Sequence, residues 1–514
     1  WLDMYNKYQE ETLKNRLGIP LIYGIDAVHG HNNVYGATIF PQNIGLGATN
    51  NPELVYKISE ATSLEVAATG IDWTFSPCLS SPEDYRWGRT YEGFSSDPVL
   101  VEKLGKAAVE GYQNALTNSG KKVVACAKHF IGDGNTEFGT GMNGLVDRGN
   151  TVLTTDELKE KLLPKYQAAI DANVQTIMAS YNSWNGVKCH GSKELLTDIL
   201  KVEMGFEGFV ISDWQGIDEI PGNYKSDIIT SINAGVDMVM VSGQGQPYKK
   251  FMRLLKENVE EGSISMERID DAVSRILKVK LRNGLFSNPI VQNDNLQVIG
   301  SDDHRNIARQ AVRESVVVLK NENLIPISKE SKSIVVAGRG ADNLGMQCGG
   351  WTINWQGGQG DITIGTTILD GIKESVSTET KVIHSKDGTD LGNVSGDLAI
   401  VVIGEDPYTE FFGDKDNLDL LEEDIQTINN LKDKGYKVLV LLISGRPMNI
   451  ADHLNNWDGF AAIWLPGTEG NGVSDILFGD FQSTGKLSYP WPLNAEDGAN
   501  APENDLLYNI GFGL

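Results

Sequence analysis

The chain has 514 residues, of which 40% are hydrophobic and 22% are charged, and its formal net charge at pH 7 is −25. This length predicts more than one domain, and the composition is that of an ordinary globular protein. The negative charge argues against binding to nucleic acid or to an anionic membrane surface. No apolar run is long enough to cross a bilayer. A generally acidic surface is the simplest explanation of the charge, and it suits a neutral small-molecule substrate.

Apolar, strand-like runs alternate with helical patterns over the first part of the chain. The strand candidates are 21–26, 73–77, 123–130, 175–181, 209–214 and 238–241. Such alternation predicts parallel strands joined by crossover helices. Polar residues follow the strand candidates at their carboxyl ends, which is where a (β/α) barrel keeps its active site. Because six strands are found and not eight, we predict a barrel-like α/β domain that is incomplete or irregular.

A second α/β domain is predicted after a polar linker. The first domain is assigned to 1–287, the linker to 288–303 and the second domain to 304–514. The second domain opens with a predicted helix over 304–319. Strand candidates and helical patterns then alternate, which predicts a smaller, doubly wound α/β sandwich. Its strand candidates are 333–338, 381–385, 398–404, 438–444 and 460–464.

The cysteines and histidines show no spacing typical of a metal site, and no spacing implies an organic cofactor. A Gly-rich loop at 338–361 lacks the GxxxxGK[ST] pattern of a phosphate-binding loop. The chain begins with Trp1, which is compatible with removal of a leader. We favour a periplasmic or extracellular location over a cytoplasmic one, and no pattern indicates an oligomeric state.

Two short segments point to carbohydrate chemistry. GFVISDWQG ends an apolar run with Asp213 and places Trp214 beside it. A carboxylate next to an indole suits a pyranose, because the oxygen can attack the anomeric carbon and the indole can cover the sugar face. A second carboxylate from another domain would complete the acid–nucleophile pair of a retaining glycosidase. GEDPYTEFFGD supplies candidates for it: Glu405, Asp406, Glu410 and Asp414. The alternative for Asp213 alone is a helix N-cap.

Further polar residues at strand ends suit sugar binding. Asp26, in YGIDAVHG, can accept bonds from two adjacent hydroxyls, although a structural cap is an alternative. Arg89, in YRWGRTYEG, offers a fixed fork of donors. Lys128 and His129, in CAKHF, follow a buried strand, and a buried lysine needs a charged or polar partner. His129 taken alone is more typical of a core histidine.

Trp214 and Trp355 lie in different predicted domains and could hold a second sugar unit between them. The alternative is that either indole anchors a domain interface.

These motifs carry a resemblance to glycoside hydrolase family 3, and most closely to its two-domain exo-β-glucan glucohydrolases and β-glucosidases. The matching stretches extend from about residue 16 to 479. They are RLGIPLIYGIDAVHG, RWGRTYEGF, ACAKHFIGDG, MASYNSWNG, GFVISDWQGID, LLKNENLIPI, CGGWTINWQG, GEDPYTEFFGD and LPGTEGNGVSDILFGD.

The resemblance implies a retaining, exo-acting enzyme that releases glucose from the non-reducing ends of β-glucosides. It implies that Asp213 is the nucleophile and that Glu410 is the general acid/base. Glu405 and Asp414 are expected to tune or anchor the loop of Glu410. The resemblance assigns the grip on the terminal glucose to Asp26, Arg89, Lys128, His129 and Tyr181, and the clamp on the next sugar to Trp214 and Trp355.

The chain departs from the family pattern at two positions. Relatives usually have a carboxylate near Met142 or Asn143 and often have an arginine where this chain has Glu219. Alternatives within the family are a β-xylosidase and a β-N-acetylglucosaminidase, and the latter would use an Asp/His pair in a first-domain loop. The corresponding segment, 132–147, has no histidine. A non-catalytic sugar-binding protein is a further alternative, but both candidate carboxylates are present.

Overall fold

The computed structural model describes residues 1–117, 120–292, 295–392 and 397–514. The chain forms two compact units. Unit 1 comprises Trp1–Ala27, Ser59–Ser80 and Gly105–Val298, and unit 2 comprises Val28–Ile58, Ser81–Leu104 and Ile299–Leu514. Each unit combines several separate segments, whereas the predicted domains are continuous ranges. The predicted boundaries therefore stay a prediction.

Unit 1 is built on a row of parallel strands that succeed one another in chain order. Apolar side chains of these strands, among them Trp73, Met178 and Phe209, pack into one buried cluster. Strands buried on both faces read as continuous apolar runs, which is why the sequence pattern located them. The six strands and bridge positions are Gly24–Ile25, Trp73–Thr74, Cys126–Phe130, Thr176–Ala179, Phe209–Ile211 and Met238.

This row confirms the predicted barrel-like architecture of parallel strands with crossover helices. Among the described residues, no pairing joins Met238 back to Gly24–Ile25, so the barrel is not closed. A small additional sheet lies beyond the strand ends and pairs Asn150–Thr151, Ser183–Trp184 and Val187–Lys188.

The helices that precede residue 299 follow the predicted pattern with local differences. Residues 155–171 form two helices, because Pro164 lies in the first turn of the second helix, where its missing N–H is tolerated. Glu194–Glu203 is a π-helix, and the first two helices below were not predicted. The α-helices are Leu2–Leu13, Asn43–Thr49, Pro52–Ala68, Pro98–Asn114, Thr155–Lys161, Leu163–Asp171, Tyr224–Ala234, Pro247–Glu260 and Met266–Arg282.

Unit 2 contains a six-stranded sheet in which five strands are parallel and one edge strand is antiparallel. The central strands are fully buried, which explains their unbroken Val/Ile/Leu runs. In spatial order the strands are Lys381–Ser385, Ser333–Ala337, Leu398–Gly404, Lys437–Ile443, Gly459–Trp464 and Val317–Asn321. The α-helices after residue 299 are Asp302–Ser315, Leu344–Cys348, Ile368–Ser375, Glu422–Asp433 and Asn471–Leu477.

The helix predicted over 304–319 was wrong at its carboxyl end. The helix Asp302–Ser315 begins after the N-cap Ser301 and stops before a β-branched run. That run forms the strand Val317–Asn321, which pairs antiparallel with Gly459–Trp464. The helical pattern of the sequence continues beyond Ser315, but pairing with a distant strand makes the following residues a strand.

No helix of the described ranges combines the length and the apolar character that a bilayer crossing needs.

A buried ion pair fastens the first helix of unit 1. Lys121 Nζ lies 2.7 Å from Asp72 Oδ1, and the Tyr5 hydroxyl donates to the same carboxylate at 3.0 Å. Gln9 in turn donates to the Tyr5 oxygen at 2.7 Å. Burial raises the pKa of Asp72 and lowers the pKa of Lys121, and the attraction between the two charges opposes both shifts. Each charge therefore depends on the other to remain buried.

We predict that Lys121→Met lowers the free energy of unfolding by about 3 kcal/mol, because removal of one partner leaves a buried charge without compensation. Lys193→Met is the control, since it breaks the Lys193–Asp198 pair, whose side chains are 63% and 54% exposed, and such pairs contribute about 0–1 kcal/mol. Urea unfolding followed by tryptophan fluorescence measures both. Equal losses in the two variants would contradict the prediction.

Candidate active site

The predicted site residues divide between the two units. Unit 1 holds six of them: Asp26, Lys128, His129, Tyr181, Asp213 and Trp214. Unit 2 holds the other five: Arg89, Trp355, Glu405, Glu410 and Asp414.

The Asp213 carboxylate is held at both oxygens. Asp213 lies two residues beyond the strand Phe209–Ile211, and its side chain is 13% exposed. The Trp214 N–H donates to Oδ1 at 2.6 Å, and His129 Nε2 lies 3.5 Å from Oδ2. The N–H of Asp213 itself donates to His190 Nε2 at 3.0 Å. The Trp214 N–H donor stabilises the ionised carboxylate and fixes its orientation.

The His129 ring is oriented from its other side. Its Nδ1 lies 2.7 Å from Asp133 Oδ2, and the Ser80 hydroxyl donates to Asp133 Oδ1 at 2.7 Å. The Tyr166 hydroxyl donates to the His129 carbonyl at 2.6 Å. Because Asp133 accepts, Nδ1 carries a proton and Nε2 is the nitrogen that faces Asp213. The sequence analysis missed Asp133, although it lies in the same CAKHFIGDG motif.

Lys128 has the charged partner that its burial requires. The side chain is 2% exposed, and Nζ lies 3.3 Å from Asp26 Oδ1. Asp26 directly follows the strand Gly24–Ile25 and keeps 34% of its side chain exposed. The strands on either side of Trp73–Thr74 therefore place an ammonium group and a carboxylate side by side, an arrangement suited to sugar hydroxyls.

Tyr181 and Trp214 are joined by a hydrogen bond. The buried Tyr181 donates its hydroxyl to the Trp214 carbonyl. The Trp214 side chain itself is 61% exposed. The Trp214 backbone is held at its carbonyl by Tyr181 and at its N–H by Asp213. The exposed indole is therefore a suitable platform for the apolar face of a sugar.

One cluster of the described residues has the donor set of a metal site. Donor atoms of Cys78, His129 and Asp133 lie within 4.8 Å of one another, and all three residues are buried. Ser80 contacts both Cys78 Sγ, at 3.2 Å, and Asp133. Ser80 thus connects Cys78 to Asp133, and Asp133 in turn is hydrogen-bonded to His129.

The Glu410 loop of unit 2 is packed against the RWGRT motif. Glu410 opens the short turn Glu410–Gly413, and its side chain is 11% exposed. A Cβ at Gly88 would lie 2.2 Å from the Glu410 carbonyl oxygen, so only glycine allows this approach. The Gly88 N–H donates to Asp414 Oδ1 at 2.7 Å, which anchors the far end of the loop. Arg89 Nη1 lies 4.0 Å from Glu410 Oε1.

The charge of Arg89 is balanced within its own motif. Arg89 and Glu92 form a bidentate pair with two distances of 2.8 Å, and both side chains are buried. Trp351 Nε1 donates to the same carboxylate at 3.1 Å. Glu92 thus fixes the guanidinium whose remaining nitrogen faces Glu410. The sequence analysis missed Glu92, although its position three residues after Arg89 was a usable signal.

Glu405 is an anchor of the loop and remains ionised. Its buried carboxylate contacts Arg446 Nη2 at 3.0 Å and Lys415 Nζ at 3.1 Å, and it accepts from the Tyr408 hydroxyl at 2.8 Å. Burial alone would raise its pKa, but Arg446 and Lys415 lower the pKa to about 2. Glu405 therefore cannot supply a proton near neutral pH. Arg446 is far away in sequence, and no local pattern indicated it.

An aromatic surface follows Glu410 directly. Phe411 and Phe412 are adjacent rings with centroids 4.4 Å apart, and Trp355 meets Phe412 edge to face at 5.6 Å. Phe412 is 60% exposed and Trp355 is 44% exposed. The predicted sugar-clamping Trp355 is therefore part of a larger platform, which the FF pair in TEFFG signals.

Family models match most of the chain. The model described as Glycosyl hydrolase family 3 N terminal domain matches residues 2–279, and the model described as Glycosyl hydrolase family 3 C-terminal domain matches residues 316–514.

Named relatives are about one third identical to this chain over the aligned residues. It is 32% identical to a lysosomal beta glucosidase of Dictyostelium discoideum, over 97% of this chain and 64% of that protein. It is also 32% identical to a beta-xylosidase of Formosa agariphila, over 94% of this chain and 70% of that protein. The chain thus spans about two thirds of the length of these relatives.

Solved structures superpose over nearly the whole chain. An exo-1,3/1,4-beta-glucanase from a Pseudoalteromonas species has a TM-score of 0.92 and 39% identity, covering 100% of this chain and 66% of that chain. A beta-glucosidase from Listeria innocua in complex with glucose has a TM-score of 0.86 and 30% identity, covering 98% and 73%.

We predict that His190 makes unit 1 sensitive to acid. Burial lowers its pKa from 6.5 to about 4, so the unfolded chain binds a proton at pH values where the folded chain does not. Stability from this group is complete above pH 6.5 and is lost as the pH falls towards 4, by about 1.4 kcal/mol per pH unit at most.

His190→Gln keeps an acceptor for the Asp213 N–H and removes the titration. The melting temperature of the wild type should fall more steeply between pH 7 and pH 4.5 than that of the variant. Parallel profiles would show that His190 does not couple folding to pH.

Proposed function

This chain belongs to glycosyl hydrolase family 3, and we propose that it is a retaining, exo-acting β-glucosidase or β-glucan glucohydrolase. It would release glucose from the non-reducing ends of β-glucosides and β-gluco-oligosaccharides through a covalent glucosyl-enzyme. The observation that carries the proposal is the Asp213 carboxylate, held at the end of a parallel strand by Trp214 N–H and beside His129 Nε2. A location outside the cytoplasm is proposed with it.

Asp213 is proposed as the nucleophile. A carboxylate attacks an anomeric carbon when it is ionised and fixed in position. The Trp214 N–H stabilises the charge on Oδ1, and the His129 ring limits rotation of the group from the side of Oδ2. The Asp133–His129 contact keeps that ring in place. These contacts fix the carboxylate before any substrate binds, which lowers the cost of reaching the reactive geometry.

Glu410 is proposed as the acid/base, and its neighbours support this by exclusion. Glu405 forms ion pairs with Arg446 and Lys415, which lower its pKa to about 2. Asp414 accepts the Gly88 N–H. The Glu410 side chain is mostly buried, with Arg89 Nη1 at 4.0 Å, and we propose that it serves first as an acid and then as a base. The mechanism requires the two carboxyl groups to work about 5–5.5 Å apart.

The remaining predicted residues are proposed to bind sugar hydroxyls. Lys128 and Asp26 form one donor–acceptor pair, and Arg89 offers a guanidinium that Glu92 already holds in place. Pre-paired charges need little reorganisation when a neutral sugar replaces water. Trp214 and Trp355 supply exposed indoles for the second sugar of the substrate.

A β-xylosidase is the second candidate, because one of the relatives carries that name at 32% identity. Xylose lacks the hydroxymethyl group of glucose, and a pocket discriminates such a difference by only about 10–200-fold. Parallel assays with 4-nitrophenyl β-glucoside and β-xyloside rank the two activities directly.

We predict opposite azide products from the two carboxylate variants. Glu410→Ala should lose at least about 100-fold in kcat on an activated aryl β-glucoside, and azide should restore turnover with β-glucosyl azide as product. Asp213→Ala should lose more, and azide should yield the α-glucosyl azide, because azide then attacks in place of the missing nucleophile.

NMR of the isolated azides distinguishes the two anomers. Asp414→Asn is the matched control on the same loop, and azide should not change its rate. Unimpaired turnover by Glu410→Ala would move the acid role to another residue, and turnover by Asp213→Ala above a few per cent would refute the nucleophile assignment.

We predict that Trp355→Ala weakens hydrolysis of β-gluco-oligosaccharides more than hydrolysis of aryl β-glucosides. Loss of one face of a stacked sugar costs about 1–1.5 kcal/mol, or roughly tenfold in kcat/KM. Phe512→Ala is the control, because Phe512 is 36% exposed and stacks on Tyr508 in unit 2. Equal losses on both substrate types would show that Trp355 supports the structure and not the second sugar.

A further inference from the structure

We propose that Glu219 is a positioning residue for the nucleophile, acting through two cations and Tyr181. The inference rests on the proposed function, because it concerns the reactivity of Asp213. All the residues involved lie in unit 1.

Glu219 joins two cations that come from separate segments. It ends the short turn Gly216–Glu219, which follows Asp213 by three residues. Its Oε1 lies 2.6 Å from Arg148 Nη1, and its Oε2 lies 2.9 Å from Lys188 Nζ. The three side chains are 28%, 16% and 19% exposed. Each carboxylate oxygen therefore carries one charge-assisted bond in a partly desolvated place, where such bonds are stronger than on an open surface.

Both cations contact Tyr181. The guanidinium carbon of Arg148 lies 3.8 Å from the centroid of the Tyr181 ring, which is cation–π geometry. Lys188 Nζ donates to the Tyr181 carbonyl at 2.8 Å. One cation thus covers the ring and the other fixes the backbone of the same residue. Without the Glu219 carboxylate the two like charges would repel each other, and Tyr181 would lose part of its support.

Tyr181 passes this support to the reacting group. Its hydroxyl donates to the Trp214 carbonyl, and the Trp214 N–H donates to Asp213 Oδ1 at 2.6 Å. The chain of contacts that starts at Glu219 therefore ends on the carboxylate that attacks the sugar. A nucleophile displaced by a fraction of an ångström loses rate without losing the ability to bind the substrate.

The sign of the charge at this position matters. An arginine here, as the family pattern often has, would add a third cation beside Arg148 and Lys188 and take away the group that joins them. Since both oxygens of Glu219 already hold cations, a direct role as proton donor or sugar ligand is less consistent with the geometry. Glu219, which departs from the family pattern, therefore belongs to a local arrangement of three charges with Arg148 and Lys188.

The test uses Glu219→Gln and 2,4-dinitrophenyl β-glucoside, whose leaving group needs no proton, so that the rate reports on the nucleophile. We expect the pre-steady-state rate of glucosylation to fall on the order of tenfold. The inhibition constant of glucose should rise less than the glucosylation rate falls, because Tyr181 is only one of the residues assigned to the glucose. Glu219→Asp, which keeps the charge, should recover part of the rate.

A double-mutant cycle and a matched control complete the test. Lys188→Met should lower the glucosylation rate when introduced alone. In the Glu219→Gln background it should lower the rate little further, because both substitutions remove the same contact. Glu261→Gln breaks the exposed Lys225–Glu261 pair of the same unit, at 2.8 Å, and should react at the wild-type rate.

Three results would overturn the inference: a wild-type rate in Glu219→Gln, a loss seen only in melting temperature, or fully additive losses with Lys188→Met. In each of these cases the wild type still hydrolyses the glucoside, so the proposed function survives. Absence of β-glucoside hydrolysis in the wild type would instead overturn the proposed function together with the inference.

Discussion

The structure of unit 1 depends on one constraint, which is that parallel strands end at a common edge. Asp26 and Asp213 lie just beyond strand ends, and Lys128 and His129 lie among the last three residues of the strand Cys126–Phe130. This shared edge brings Lys128 to Asp26 and His129 to Asp213, at 3.3 and 3.5 Å, across the one strand that lies between the members of each pair. The buried apolar strands thus determine which charged groups meet. The hydrogen bonds around Asp213 then hold the carboxylate that we propose as the nucleophile.

The acidic side chains of the two units differ in function because their partners differ. Glu405 has two cations and a pKa lowered to about 2, so it stabilises the loop as a permanent anion. Glu92 neutralises Arg89, and Glu219 joins Arg148 to Lys188. Glu410 has Arg89 Nη1 at 4.0 Å and is followed in the sequence by Phe411 and Phe412. The carboxylates of Glu405, Glu92 and Glu219 are tightly paired and hold structure, and Glu410 is the carboxylate that we propose for proton transfer.

Each proposed reactive group is supported by residues that do no chemistry. Ser80 and Asp133 orient His129, and the neutral His190 accepts the backbone N–H of Asp213. In unit 2, Gly88 allows a backbone approach to the Glu410 loop that any side chain would block. Such supporting contacts decide whether a site holds its groups within the tolerance that catalysis needs.

The sequence by itself determined the strand order of unit 1 and the motifs that carry Asp213 and Glu410, because buried strands and their polar ends leave local patterns. It did not predict the strand Val317–Asn321, whose partner Gly459–Trp464 lies far along the chain. Only the tertiary structure decided that Arg446 fixes Glu405 and that Arg148 reaches Glu219. The physical reason is that ion pairs are selected by distance in space, and no spacing along the chain encodes a contact between separate loops.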